Sequence, residues 1–389
     1  MSDAYIVGAV RSPIGKKKGK LSSLHPTDLF GAVLKGLLER AGVDPLQVDE
    51  VFGGCVTQTG EQGVNVTRNA WIAAGLPFDV PAVTVDSQCG SSQQALHSAA
   101  AGVASGQLDL AIAGGVEAMS RVGLGANGLQ PGFPFSQSWI DVVGGPEFIY
   151  TQFQAAQEIA REWGITRQDM DELALQSHQR AAQATDEGRF EREIVPIKVQ
   201  QEDGSVEEVT EDGCIRRNTT LEKLASLPPV REDCPDITAG NSSPYSDGAS
   251  AVLIASERKA EELGLKKRAR FHAFAIAGTT PVVMLKGPVP VTRKIFERTG
   301  MGVGDIDLFE CNEAMGSIMP MWQREFDVPL DKVNVNGSGI SLGHPVGATG
   351  ARMTVTLLHE LERAGKRFGF QTMCEGGGQA HATIIERLD

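Results

Sequence analysis

The chain has 389 residues, 41% of them hydrophobic and 22% charged, an ordinary globular balance with room for roughly two or three domains. Its formal charge of -13, from 36 Lys and Arg against 49 Asp and Glu, argues against nucleic acid as a partner, because phosphate contacts need clustered cations. No stretch approaches the ~18 consecutive apolar residues of a membrane span. The opening MSDAYIVGAVRSPIGKKKGK lacks the basic-then-apolar order of a secretory signal, so the expected compartment is the cytoplasm.

Residues 26–41 carry Leu29, Val33, Leu37 and Leu38 at helical spacing, with Thr27 and Asp28 available to cap the start. Residues 51–56 read as a strand and 65–74 as a helix ending at Gly75-Leu76-Pro77. A strand at 82–85 follows, then a helix almost without side-chain bulk, Ala95, Ser98, Ala99, Ala100, Ala101, Gly102 and Ala104. Residues 108–113 form another strand, closed by Gly114 and Gly115. Strand and helix alternating in this way predict parallel βαβ units.

The pattern then repeats. Leu37-Leu-Glu-Arg-Ala-Gly42 and the strand after it answer Ile295-Phe-Glu-Arg-Thr-Gly300 and the strand after that. Residues 108–115 answer 368–377, and Cys55 precedes Cys89 by nearly the interval that separates Cys311 from His344. Register held over such distances implies an internal duplication with a domain-sized period. The expected division is a first half from 1–118 plus 246–268, an insertion over 119–245, and a second half from 269–389. The insertion is richer in Gly, Pro, Gln and charge, with amphipathic helices near 152–163 and 167–188 and a hairpin within 195–209, and reads as a lid over the core.

Six scattered cysteines at 55, 89, 214, 234, 311 and 374 include no CxxC pair, so neither a metal site nor a disulfide framework is expected. Cys89 stands where a strand gives way to the thin helix. A helix N-terminus lowers a thiol's pKa through its dipole and free N–H groups; a small buried core residue is the other reading of the same position. Asn336-Gly-Ser-Gly-Ile-Ser-Leu-Gly-His344-Pro-Val-Gly-Ala-Thr-Gly350 fixes one imidazole among glycines, with Pro345 stiffening the backbone behind it. Cys374 ends a strand and precedes three glycines, a place where backbone N–H groups can line an oxyanion hole or a tight turn can simply form. Duplicated loops meet, so Cys89 and His344 are expected to face each other.

Together these segments resemble the thiolase family over essentially the whole chain. The matches run through Arg11-Ser-Pro-Ile-Gly15, Gln88-Cys89-Gly90-Ser91, Gly114-Gly-Val-Glu-Ala-Met-Ser120, Ala239-Gly-Asn-Ser-Ser243, Asn312-Glu-Ala314, Gly343-His-Pro345 and Cys374-Glu-Gly-Gly-Gly378. The resemblance implies an α/β fold with a duplicated βαβαβαββ core in five αβαβα layers, each copy placing one thin helix between the sheets. It implies ping-pong Claisen chemistry on coenzyme A thioesters. Cys89 would be the acylated nucleophile, His344 its proton acceptor, and Cys374 the acid/base at the acetyl-CoA α-carbon. Asn312 would hold a water at the enolate, and the N–H groups of Cys89 and Gly376 would form the second oxyanion hole. For the ligand, the resemblance points to Ser243 and Arg216 near coenzyme A and to Met284, Met315 and Phe153 along the acyl pocket. Coenzyme A and acyl-CoA are then substrates, no prosthetic group or metal is implied, and a homodimer or homotetramer is expected.

Thr151-Gln152-Phe153 and Met315 depart from many biosynthetic thiolases, while the Gln152-Phe153 pair and the Thr57-Gln-x-Gly-Glu-Gln62 stretch resemble actinobacterial enzymes of steroid and bulky acyl-CoA breakdown. A degradative 3-oxoacyl-CoA thiolase is therefore expected ahead of an acetoacetyl-CoA-forming acetyltransferase. A non-catalytic acyl-CoA or sterol carrier would lack a reactive residue, and none is lacking. Decarboxylating ketosynthases pair their cysteine with two histidines, but Cys374 stands in the matching loop and His381 lies farther along the last strand.

Overall fold

The computed structural model describes residues 3–128, 132–201 and 203–389. Two copies of a mixed sheet make the core. Across the first, the strands lie in the order Ala82–Val85, Glu50–Gly54, Leu110–Ala118, Ser246–Ala255 and Tyr5–Arg11. The first three are parallel, as the alternating pattern predicts, and the last two run antiparallel to their neighbours. The second copy repeats this with Leu308–Cys311, Phe368–Glu375, Gln379–Arg387 and Ala269–Gly278. Its counterpart of Ala82–Val85 is reduced to a bridge between Phe309 and Val333. Two rungs, Tyr5 with Arg270 and Ile6 with Ala269, join the sheets edge to edge.

Helices complete five layers. Pro26–Ala41 and Val66–Ala73 cover the outer face of the first sheet through Leu29, Phe30, Val33, Leu37 and Trp71. Pro288–Thr299 and Ile318–Phe326 cover the second through Val291, Ile295 and Trp322. Between the sheets lie Ser91–Ala104 and Thr349–Ala364, packed on each other and on both sheets. A layer enclosed on both sides has no polar face to spare. Ala95, Ala99 and Ala100 are fully or almost fully buried, and a larger side chain there would force backbone shifts costing about 1–3 kcal/mol.

Thinness belongs to the first copy alone. The second copy's central helix buries Arg352, Met353, Leu357, Leu358 and Leu361, with Arg352 paired to Glu310 at 3.4 Å. Two local expectations also change. Gly114 and Gly115 lie within strand Leu110–Ala118 rather than closing it; a Cβ on Gly115 would collide with the Gly347 carbonyl oxygen, so glycine is required by close approach and not by a turn. Helix Pro26–Ala41 is capped by His25, whose Nδ1 accepts the Thr27 N–H at 3.3 Å, and Pro26 fills the first turn where a missing N–H costs nothing.

The segment between strands Leu110–Ala118 and Ser246–Ala255 holds helices Gln137–Val143, Gln152–Glu162, Arg167–Asp186 and Leu221–Ala225 and a hairpin of Ile197–Gln200 with Val206–Val209. Arg11, wholly buried, ties it to the first strand. Its guanidinium binds both oxygens of Asp212, at 2.7 and 2.9 Å, and Glu193 at 2.6 Å. Among the described residues no helix is long and apolar enough to cross a membrane, and no group of three or more His, Cys, Asp and Glu could hold a metal ion.

Candidate active site

Strand ends and helix starts of both copies meet between the sheets. Cys89 lies in the turn between strand Ala82–Val85 and helix Ser91–Ala104, where the Ser87 carbonyl accepts the Gly90 N–H at 3.0 Å. The turn starts with Gln88 at φ 51°, a left-handed conformation held by Asp86, whose carboxylate accepts the Gln88 N–H at 2.7 Å. Cys89 is 3% exposed and packs with Val56, Val346, Met353 and Met373. Two of these neighbours matter most. Val346 is two residues from His344, and Met373 is one from Cys374. The backbone N–H groups of Gly376 and of Cys89 itself both point at the Cys89 sulfur.

That environment corrects one expectation. Burial pushes the Cys89 thiol up to about 12, the Glu375 carboxylate adds to the rise, and the two N–H groups only partly offset it. The helix start does not by itself hold a thiolate. At neutral pH the sulfur carries its proton, and an acceptor must take it.

His344 is held in one orientation and one tautomer. Its loop contains the short helix Gly339–Leu342 and leads into Thr349–Ala364, and its backbone N–H donates to Ser246 Oγ at 3.1 Å. The Thr349 hydroxyl donates to the Pro345 carbonyl at 2.9 Å and lies 2.7 Å from His344 Nδ1. With that hydroxyl hydrogen committed, Nδ1 is the donor to Thr349, which makes Nε2 the accepting nitrogen. Nε2 sits 3.3 Å from Asn312 Nδ2. Burial, reinforced by the Arg352 cation, lowers the imidazole to about 3, so it is neutral across the physiological range. The other end of the Asn312 amide, Oδ1, is buried without a protein partner.

Cys374 is the next-to-last residue of strand Phe368–Glu375 and is wholly buried. Burial raises its thiol well above the usual range, with Cys89 the first neighbouring charge to add to the effect. It packs in one apolar cluster with Met315, Leu285 and Ala156, against which Phe153 and Met284 also lie. Met315, Met284 and Phe153, expected from sequence along the acyl pocket, thus belong to or lie against the same cluster as this second sulfur. Ser243 is half-buried, and its N–H donates to the Ala314 carbonyl at 3.0 Å. Arg216 is exposed and lines a cavity of about 430 Å³ with His178, Gln179, Arg217 and Thr219. Its neighbour Arg217 is paired with Asp186 at 2.8 Å, whereas Arg216 has no ion pair among the described residues.

Alignment of the copies by intervals between cysteines is also adjusted. The central helices have their N-caps at Gly90 and Ala348, so Gly347, not His344, is the counterpart of Cys89. Two supporting groups escape a reading of sequence. Thr349 orients the imidazole, and Glu117 binds the loops together. The Glu117 carboxylate accepts the N–H groups of Val56, Thr57 and Gly347 at 2.9, 3.1 and 3.0 Å, and the Gln62 amide at 2.8 Å. Both stand inside the quoted motifs, where a polar residue between glycines was the available signal.

Comparison with known proteins agrees with this geometry. The thiolase N-terminal domain model matches residues 4–258 and the thiolase C-terminal domain model residues 265–387. The steroid 3-ketoacyl-CoA thiolase FadA6 of Mycobacterium tuberculosis is 44% identical, over 100% of this chain and 95% of that protein. A 3-ketoacyl-CoA thiolase of Pseudoalteromonas translucida is 43% identical over the full length of both. The crystal structure of the Bacillus anthracis acetyl-CoA acetyltransferase superposes with a TM-score of 0.90 at 39% identity, covering 100% of this chain and 99% of that one. Human mitochondrial 3-ketoacyl-CoA thiolase gives the same TM-score and coverage at 33% identity. The chain belongs to the thiolase family. It is an enzyme, an acyltransferase with the thiolase fold.

Proposed function

We propose that this thiolase cleaves 3-oxoacyl-CoA with coenzyme A, in the degradative direction, through an acyl-Cys89 intermediate. The observation that carries the reading is the convergence on the Cys89 sulfur of the Cys89 and Gly376 N–H groups, with neighbours of both His344 and Cys374 packed around it. In the first half-reaction His344 Nε2 takes the Cys89 proton as the sulfur attacks the C3 carbonyl. The oxygen that becomes negative is held by the two N–H groups, donors already in place and worth about 3–4 kcal/mol when one is lost. The C2–C3 bond then breaks, leaving the acyl group on Cys89 and the enolate of acetyl-CoA. Asn312 and His344 stabilise that enolate, the orphaned Oδ1 of Asn312 suiting a bound water. Cys374, kept protonated by burial, gives its proton to the enolate carbon and releases acetyl-CoA. In the second half-reaction Cys374 regains a proton from the coenzyme A thiol, whose sulfur attacks acyl-Cys89. His344 returns its proton to the departing Cys89 sulfur, and the shortened acyl-CoA leaves.

Ser243 and Arg216 are proposed to contact coenzyme A, with segment 119–245 as the lid that carries Arg216. Cys214, two residues before Arg216, already reaches the His344 loop through Ser246 Oγ at 3.8 Å. A bulky acyl chain suits a pocket in which Met315 supplies a flexible thioether instead of a ring, with Met284 packed against the same cluster. Names of the relatives favour degradation over acetoacetyl-CoA synthesis. A homodimer is proposed through the open edge of strand Ala82–Val85, near which Val64 and Phe78 are exposed. Six free cysteines accord with a reducing, cytoplasmic compartment. The test is a panel of thiolysis rates across chain lengths and steroid side-chain CoA esters, with acetoacetyl-CoA as the reference. Greatest kcat/KM on acetoacetyl-CoA would overturn the preference for bulky substrates.

A further inference from the structure

Behind the nucleophile turn lies a buried pair that the reaction scheme leaves unused. Glu375, fully buried, follows Cys374 directly, and its Oε1 meets His381 Nδ1. Its other oxygen accepts the Ser87 hydroxyl at 3.1 Å. His381 Nε2 lies 2.9 Å from Gln94 Oε1, and that amide is oriented because its nitrogen donates to Ser98 Oγ at 3.0 Å. Each ring nitrogen of His381 therefore faces an acceptor, the arrangement that a ring with both nitrogens protonated satisfies. The pair presses on the residue next to the nucleophile. A Cβ on Gly90 would collide with the Glu375 carboxylate and come within 2.8 Å of His381 Nδ1.

We infer that Glu375 and His381 are positioning residues of the acylation step: an ion pair whose imidazolium cancels the carboxylate's charge at Cys89 while the pair itself fixes the Gly90 turn. The logic is electrostatic. A bare carboxylate beside Cys89 opposes every species in which negative charge builds on that sulfur, and Glu375 does raise the thiols of both Cys89 and Cys374. A proton on His381 removes most of that penalty without removing the oxygen that anchors Ser87. The remaining titratable groups facing the turn are Glu117, Asp86, Cys374 and His97. Burial holds Glu117 and Asp86 above the usual carboxylate range. His97, whose ring centroid is 5.2 Å from that of His381, is held well below the usual imidazole range by burial, with His381 the second cause. Its Nε2 is engaged by Thr383 Oγ1 at 2.7 Å, so it offers no competing cation.

This inference rests on Cys89 being the nucleophile, and the experiment keeps the two claims apart. Alkylation of Cys89 by iodoacetamide, followed by mass spectrometry of its peptide, reads the thiol's ionisation without any turnover. His381→Asn should slow both alkylation and acylation about tenfold at a fixed pH below the midpoint, the equivalent of the midpoint moving up by about one pH unit. Glu375→Gln should move the midpoint down, and the double variant should lie between the two. Ser87→Ala, which withdraws one donor from the carboxylate and keeps both partners, should move it up by less than His381→Asn. In the unaltered protein, the nitrogen chemical shifts of His381 at neutral pH should be those of an imidazolium. A neutral ring, or midpoints that stay put or move together while only the melting temperature falls, overturns the proposal and leaves a purely structural pair. Loss of the nucleophile reading would appear elsewhere, as turnover surviving Cys89→Ala. If His381→Asn does not fold, the signs for Glu375→Gln and Ser87→Ala still decide.

Discussion

In the first copy the backbone goes from strand Ala82–Val85 into helix Ser91–Ala104 through the turn 86–90, and that turn carries Cys89. In the second copy the same junction opens into a loop with a helix of its own, Gly339–Leu342, and the loop carries the imidazole. Strand register sharpens the contrast. Gly54 pairs with Gly115 and Cys311 with Thr372, each the last residue of its strand. Two positions farther on, Glu117 and Cys374 fall at the same place in the two copies. One is a carboxylate tied into four hydrogen bonds, the other a thiol in an apolar cluster. Duplication supplied the frame, and on the proposed mechanism the copies divide the work: the first holds the nucleophile and fastens the loops, while the second moves protons. The central helices follow suit. A thin first helix lets the second sheet come close to the Cys89 turn, and Gln93 and His97 reach Thr383 across it at 2.7 Å each.

The largest effect expected from breaking this division is at the nucleophile. Cys89→Ala should lower thiolysis at least about 10⁴-fold, read as loss of the 3-oxo thioester absorbance, while equilibrium dialysis still detects thioester binding. Next comes the thiol of the second copy. Cys374→Ala should cost about 10²–10⁴-fold, let acyl-Cys89 form only slowly, and stop exchange of the acetyl-CoA α-hydrogens with deuterated water. Exchange that continued would assign the proton transfer to another group.

The fold was legible because duplication leaves its mark in ordinary signals, the helix endings at Gly42 and Gly300 and the paired strands after them. Residues 89, 344 and 374 could be singled out as candidates because each interrupts a strand or glycine pattern with a reactive side chain. What stayed hidden depended on three-dimensional environment. The proximity of Cys89 to a helix start was visible, but the burial that outweighs the dipole was not. His381 could be placed on the last strand, yet only the register of Met373 against His381 brings its ring back beneath the nucleophile. Gly114 and Gly115 read as a strand end because nothing in sequence announces the Ser250 carbonyl lying against the first or the Gly347 carbonyl lying against the second.

Equivalent positions with different duties should also fail differently. Glu117→Leu leaves the Val56, Thr57 and Gly347 N–H groups without an acceptor in a buried site, while the Gln62 amide keeps the Thr57 carbonyl. Each such orphan costs about 1–3 kcal/mol, so chemical unfolding should show a loss of at least about 3 kcal/mol. Cys374→Ala, which strands no donor, should unfold close to the unaltered protein. If the two variants were equally stable, the carboxylate would not be the fastener of these loops.

The smallest effect tests the imidazole. His344 lies at about 3 in the folded protein against about 6.5 for a free side chain. Below pH ~6.5 the unfolded chain takes up a proton that the folded site refuses, so this residue's contribution to stability falls as pH drops and is fully present only above that value. His344→Gln cannot titrate and removes the dependence. The stability of the unaltered protein relative to the variant should therefore decline by about 2 kcal/mol between pH 6.5 and 5, measured by chemical denaturation at both values. A difference that does not change with pH would mean that the folded ring takes up its proton as readily as a free one. The Nε2 lone pair would then be unavailable in mildly acidic solution, and Cys89 would need another acceptor to become a nucleophile there.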